Sequence, residues 1–449
     1  MMHNQRKIKN ILLICMFLMN VPAAMGSQEI QILRMSFQDA LQMAQGKEVN
    51  AIVASKQVEQ AILRLGEVRS ALLPQVTGSL SESRQTRNLQ ASGISLPQPN
   101  PVVGPFNTFD ARIKITQILF DAAAIERLLA ARDAKQMSVA ALRKAKQDAM
   151  ALVALFYIQA KRAQDSVVFR ETILKRDQDE LRIVKSCLES GTGSSLELKQ
   201  AEAALMGSRR LLQSASANAE NRRLDLLAAL GFPAGQLIEF VPDDLRVPNS
   251  LDKKSEVEAD IQKTPDMEVA AQLLKQRQSE KHAEMAEFLP KLSGSGDWGA
   301  SGKSPSDSEW TYSIGAQVIF PIFESGHTWY RVREAASKVS ESEVKLKDTE
   351  RHVESKILQQ KELLKEASFL VDQAKSELEV AETKCALAEH RLQTGIGSEI
   401  EILQARADEA AAKDKMEEAI ATYQTAKVNF AHASGKMELL ITKEEKHEK

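Results

Sequence analysis

Several residue groups in this chain have the types and spacing of working sites. Gly294-Ser-Gly296-Asp-Trp-Gly299 has the glycine spacing of a dinucleotide pyrophosphate loop, and Gly302-Lys303-Ser304 ends like a phosphate-binding loop. Each needs a context that is missing. The first should open a helix, yet it lies in an alternating polar-apolar stretch. The second needs an earlier glycine, where Asp297 stands, and a helix where Pro305 follows. The seven histidines (His3, His282, His327, His352, His390, His432 and His447) are too scattered for metal-ligand spacing. No serine elbow or cysteine-histidine motif occurs, and most carboxylates fall on solvated helix faces. The reading is of no enzyme, no cofactor, no metal and no catalytic residue. A net charge of -2 gives no electrostatic footprint for nucleic acid.

A different constellation is duplicated. Leu188-Glu-Ser-Gly-Thr-Gly-Ser and Leu392-Gln-Thr-Gly-Ile-Gly-Ser are 204 positions apart, and eight of eighteen residues match between 188–205 and 392–409. Gly191 and Gly395 suit the left-handed cap that ends a helix, and Ser194 and Ser398 suit the cap that starts the next. Each motif therefore reads as a tight helical hairpin tip.

The elements that must position these tips are long. Residues 121–190 and 327–394 contain no glycine and no proline, and each would make a helix of about 100 Å. Leu364, Ala367, Val371, Ala374, Leu378, Ala381, Cys385, Ala388 and Leu392 are spaced alternately three and four apart, the repeat of a coiled-coil seam. Val153, Phe156, Ala160, Ala163 and Val167 begin the same pattern in the first half, which resumes at Leu174, Leu181, Val184 and Leu188 with charges at two seam positions. Cys385 reads as a small seam hydrophobe, and Cys187 and Cys385 as buried thiols rather than a disulfide. Shorter return helices span 194–230 and 398–434. Further helices span 36–72 and 266–288, and residues 231–265 form a non-helical segment at mid-height. A polar tail, 436–449, ends the chain.

Upstream of each long helix the period changes to two. Leu292, Gly294, Gly296, Trp298 and Ala300, then Trp310, Tyr312, Ile314, Ala316, Val318 and Phe320, alternate with polar residues. Strand pairs are expected at 75–88 with 108–119 and at 291–302 with 309–320. One apolar and one polar face over about ten residues suits a strand between lipid and a watery lumen. Trp298, Trp310, Tyr312 and Phe320 are candidate membrane-interface aromatics. Four strands cannot close a barrel, so several chains would have to share one. The N-terminus, with Arg6, Lys7, Lys9 and the apolar run Ile11–Met19, reads as a signal peptide over residues 1–26. Ile14 before Cys15 argues against a lipid anchor.

The chain, over about residues 36–435, resembles the TolC outer membrane efflux family. The matching pieces are Leu73-Pro74 with Leu289-Pro290, the junctions Leu119-Phe120-Asp121 and Ile322-Phe323-Glu324, and the two tips. The resemblance implies a mostly α fold with a small β part. Two tandem structural repeats would supply long coiled-coil helices for a periplasmic α-barrel and four strands per chain for a trimeric twelve-stranded transmembrane β-barrel. It implies a passive outer-membrane channel-tunnel in a homotrimer, working in tripartite efflux or type I secretion. Its partners would be a periplasmic adaptor (membrane fusion) protein, an inner-membrane pump of RND or ABC type, and outer-membrane lipid. Gly191, Gly193, Ser194 and Leu196, with Gly395, Gly397, Ser398 and Ile400, match the adaptor-docking pattern. Glu401 matches an acidic position at the closed periplasmic constriction. Gln404 stands where a second acid is found in the family's best-known member, and Gly397 where that member has an arginine. The alternative is a soluble periplasmic coiled-coil scaffold, which has no need of the Trp310-to-Phe320 stripe.

Overall fold

The computed structural model describes residues 32–93, 101–241 and 260–441. The expected signal peptide, much of the mid-height segment and the last eight residues lie outside them. In chain order the elements are β1 (Leu33–Met35), α1 (Phe37–Lys47), α2 (Val49–Ser70), β2 (Gln75–Asn88), β3 (Val102–Phe120), α3 (Ala122–Glu189) and α4 (Ser195–Ala229). There follow β4 (Ile238–Phe240), α5 (Pro265–Ala286), β5 (Lys291–Gly302), β6 (Ser308–Ile319), α6 (His327–Gln393) and α7 (Glu399–Ala433). The second half thus repeats the first: helix, two strands, a helix of 67 or 68 residues, a tip, and a return helix of 35.

The helices form a single layer. On the strand side, α2 packs on α3, α3 on α5, and α5 on α6. On the tip side, α4 packs on α3, α3 on α7, and α7 on α6. The long helix α3 therefore has a neighbour on each side in both its strand-side and its tip-side half, whereas α6 lies at an edge in both.

The main apolar core sits halfway along α3. Tyr157 is fully buried there, its hydroxyl donating to the Met35 carbonyl (3.1 Å), with Phe37 and Phe240 edge-on to its ring at 5.6 and 5.2 Å. The parallel pair β1–β4 closes over it, and Leu41, Met150, Val153, Leu226, Leu230 and Val428 fill the remainder. Residues Met437–Leu440, read as the start of a polar tail, form a 3-10 turn with Met437 fully buried in this core.

Two further departures from the sequence reading have local causes. The helix expected over 36–72 breaks at Glu48. Its carboxylate caps α2 by accepting from the Ala51 N–H (2.9 Å), while α1 turns to bury Phe37, Ala40, Leu41 and Ala44 in the core. The two strand-to-helix junctions also differ. Asp121 caps α3 directly, accepting from the Ala124 N–H (3.0 Å), but α6 starts after a longer turn through Ser325 and Gly326, both at positive φ. Glu324 instead accepts from the Thr328 hydroxyl.

The four long strands form one antiparallel sheet in the order β2-β3-β5-β6. Strand β3 begins at Val102, six residues earlier than expected, and its first residues pair with Arg87 and Asn88 past a register shift. Among the described residues β2 and β6 have no strand on their outer sides.

Candidate functional site

The two tips are near copies in backbone. Gly191 and Gly395 have φ of 78° and 76°, a left-handed conformation that side chains disfavour. After them the chain closes the same hydrogen bonds. Thr192 and Gly193 N–H donate to the Cys187 carbonyl, both at 2.9 Å; Ile396 and Gly397 N–H donate to the Arg391 carbonyl at 3.0 and 2.9 Å. This is the helix-end motif in which the amide beyond the left-handed residue reaches back five positions. The second glycine is needed for space: a Cβ on Gly193 would lie 2.8 Å from the Leu188 amide nitrogen, and one on Gly397 2.8 Å from that of Leu392. Ser194 and Ser398 then cap the return helices, accepting from Leu196 N–H (3.2 Å) and Glu401 N–H (3.2 Å). Leu196, Ile396 and Ile400 stand exposed around these turns.

The side chains do not follow the backbone symmetry. Glu197 reaches back to accept the Ser194 N–H (3.0 Å), completing a reciprocal cap. Its counterpart Glu401 turns instead to Arg391 in the last turn of α6, Nη1 to Oε1 at 2.8 Å. Gln404 donates to Asp408 one turn on (3.0 Å). Sequence reasoning overlooked Arg391 as a partner. The available signal was that Cys187 occupies the matching position in the first half, so the repeat is broken where a charge appears.

Away from the turns, the helical pairs close on small side chains. Cys385 and Ala388 of α6 pack with Ile402 and Ala405 of α7, and Val371 and Ala374 with Ala419. Cys187 and Cys385 are both free. Cys385 is buried as expected; Cys187, expected to be buried as well, is only half-buried. Burial, then a hydrogen bond to the Glu409 carboxylate, pushes the Cys385 thiol up to about 11.

At the other end the strand register sorts residues onto two faces. Leu80, Ala111, Ala300 and Trp310 lie side by side across the four strands, as do Gly78, Ile113, Trp298 and Tyr312, and then Val76, Ile115, Gly296 and Ile314. The alternate rows are Ser79, Arg112, Gly299 and Thr311, then Thr77, Lys114, Asp297 and Ser313. One face is apolar and the other polar, with no helix covering either. On the polar face Arg112 crosses three strands, donating to Asp110 (3.0 Å) on β3, Asp297 (2.5 Å) on β5 and Thr311 (3.0 Å) on β6. Gly299 makes room for it, since a Cβ there would lie 2.6 Å from the Arg112 Cγ. The dinucleotide-like glycines therefore belong to strand β5, and Lys303-Ser304 to the hairpin that follows it.

The four candidate interface aromatics separate into two groups. Trp298 and Trp310 stack at 4.4 Å near the β5–β6 hairpin, and Tyr312 is paired with Trp298. Phe320 lies past the other end of β6 and is followed by exposed Ile322 and Phe323, with exposed Tyr330 in the first turn of α6. Trp329 and Tyr330 there meet edge-on at 4.8 Å. Among the described residues no helix is long and apolar enough to cross a membrane, and no group of side chains is placed to hold a metal ion.

A single layer of duplicated long helices on a four-stranded sheet, with two glycine tips at the far end, is the architecture of an outer-membrane efflux channel subunit. The outer membrane efflux protein family model matches residues 41–232 and 258–436. The chain belongs to this family of outer-membrane proteins. It is similar to the Campylobacter jejuni CmeC outer membrane channel (TM-score 0.74, 20% identity, covering 89% of this chain and 85% of that one). It is also similar to VceC from Vibrio cholerae (0.71, 12%, 89% and 96%) and to the open state of the Neisseria gonorrhoeae MtrE channel (0.69, 17%, 89% and 89%). A Pseudomonas putida relative, the pyoverdine export outer membrane protein OpmQ, is 25% identical over 313 residues. That alignment spans 68% of this chain and 64% of the length of that relative.

Proposed function

We propose that this chain is the passive outer-membrane duct of a tripartite export assembly, acting as a homotrimer whose copies share one twelve-stranded barrel. The observation that carries the proposal is the uncovered sheet: two open edges, one apolar face and one polar face, continuous with a helical layer that also ends in open edges at α2, α4 and α6. In hydrocarbon every backbone amide needs a protein partner, so β2 of one copy must meet β6 of the next. The apolar face would then meet lipid, and the Arg112 face a watery lumen.

The aromatic groups agree with this placement. From Trp310 to Phe320 is ten residues, roughly 33 Å of strand. At the tilt usual in such barrels that is a band of about 25 Å between two aromatic girdles. Trp298, Trp310 and Tyr312 would mark the outer interface, and Phe320 with Phe323 and Tyr330 the inner one.

The tips would face the periplasm and receive the helical hairpins of an adaptor, through which an inner-membrane pump of RND or ABC type supplies cargo. Gly191, Gly193, Ser194 and Leu196, with Gly395, Gly397, Ser398 and Ile400, shape these docking ends, and Glu401 and Gln404 line the constriction. The name of the OpmQ relative, a pyoverdine exporter, favours a small-molecule cargo over a polypeptide.

Purification tests the assembly directly. The expected result is a detergent-requiring trimer that forms conducting pores in planar bilayers; a monodisperse monomer without detergent would overturn it. Ile396→Asp tests the docking end, because Ile396 is 76% exposed and its side chain is not needed for the turn. It should leave the trimer and its conductance intact while removing adaptor binding. Unchanged binding would show that the tips are not the docking surface.

A further inference from the structure

We infer that Arg391 makes the Glu401 carboxylate a two-position switch, and that the first tip displays its other position. The two turns share their backbone, their serine cap and a glutamate at the third residue of the return helix. With Cys187 on the incoming helix, Glu197 closes the cap on the Ser194 N–H at 3.0 Å. With Arg391 at that place, Glu401 leaves the cap and bonds the guanidinium at 2.8 Å. The Ser398 side chain still caps α7, but no carboxylate returns to its N–H.

Both positions are therefore sterically open to one residue, and the incoming helix decides between them. In the Arg391 position the negative charge is neutralised and α6 is tied to α7. In the cap position the charge is released and the tie is gone. The two side chains are 47% and 38% exposed, so the pair is accessible to salt and to an approaching charged group. A charge-assisted bond to a backbone amide at a helix N-terminus supplies the competing site. Arg391 is a positioning residue: its part is to choose where Glu401 stands.

The effect on conduction rests on the reading of Glu401 as a constriction residue, whereas the switch itself stands on the two turns. Residue-resolved hydrogen exchange on the full-length protein in detergent tests the switch. In Arg391→Ala the Ser398 amide should slow several-fold, towards the rate of the Ser194 amide, and Arg391→Lys should keep the wild-type rate. Cys187→Arg should do the reverse, speeding the Ser194 amide several-fold. An unchanged Ser398 amide in Arg391→Ala would overturn the inference. Reversal potential in a KCl gradient is the second measurement. Arg391→Ala should shift the pore towards cations, and Arg391→Ala with Glu401→Gln should return it to the wild-type value. A changed amide with an unchanged reversal potential would leave the switch standing and remove Glu401 from the constriction.

Discussion

Helices α3 and α6 are the same element used twice, 68 and 67 residues long, each running from a strand to a glycine tip. Their surroundings differ. α3 is flanked on both sides and carries the main core at Tyr157, where the equivalent residue of α6 is Lys361. α6 is flanked on one side, and its outer surface shows Phe369 at 72% and Val344 at 63% exposure. On α3 only Val168 among the exposed large apolar residues exceeds 43%. Duplication thus set the length and the ends of the two helices, and position in the layer set what each must bury. An edge helix that keeps large apolar side chains on its open flank is where the proposed homotrimer would place another copy.

Tyr157→Ala should produce the largest break in this comparison. It removes a buried ring, two edge-on aromatic partners and the bond to the Met35 carbonyl, a loss of about 3–5 kcal/mol read by thermal or denaturant unfolding. A small loss would mean that the mid-height core contributes little to holding the helical layer. Phe369→Glu comes next. In a single chain it should change little, because the ring is exposed. If a second copy covers it, trimer stability should fall by about 2 kcal/mol, the order of a buried phenylalanine. Dilution-dependent dissociation measured by mass photometry separates the two results.

How far the residues alone announced this architecture depends on how local the signal was. The long helices are legible because 70-residue runs without glycine or proline, carrying a 3.5-residue apolar repeat, leave no other regular structure. The strand faces are legible from Trp310 to Phe320 for the same reason at period two. The break at Glu48 is not, because α1 and α2 both favour helix and only the core beneath Tyr157 makes them diverge. Nor is the early start of β3, where Gly104 and Pro105 read as loop and pairing with Arg87 and Asn88 overrides them. Met437 looks like part of a charged tail until α3 and α7 form its pocket. At the tips the glycines announce the turn, but Arg391 acquires its partner only when two helices converge.

The hairpins below the core differ in what binds them, and salt should sharpen that difference. Ion pairs cross between α6 and α7, among them Arg391–Glu401 at 2.8 Å, Arg406–Glu389 at 2.9 Å and Lys415–Glu377 at 3.1 Å. Among the described residues none crosses between α3 and α4. Raising ionic strength from 0.1 to 1 M shortens the screening length from about 10 to 3 Å. Exposed pairs are individually weak, so hydrogen exchange near the second tip should rise roughly two- to fivefold. The α3–α4 hairpin should change less, since apolar burial is not weakened by salt. Equal responses would show that the ion pairs follow the geometry rather than hold it.

The smallest contrast lies in one layer of the two seams. Leu181 and Leu205 occupy the places that Cys385 and Glu409 take in the second half. An apolar pair has become a thiol donating to a carboxylate. Burial and that carboxylate both disfavour the thiolate, which is why the thiol is pushed up to about 11. At pH 8 only about one molecule in a thousand would carry the reactive form, roughly two orders of magnitude less than a free cysteine. Alkylation of Cys385 should therefore be slow and should rise about tenfold per pH unit until pH approaches 11. Glu409→Gln removes the negative neighbour, so the thiol should fall and alkylation should quicken several-fold at fixed pH. Half-buried Cys187, read in the same digest by mass spectrometry, is the internal reference. If Cys385 reacts as fast as Cys187, the second seam opens at this layer, and the two hairpins differ in closure as well as in charge.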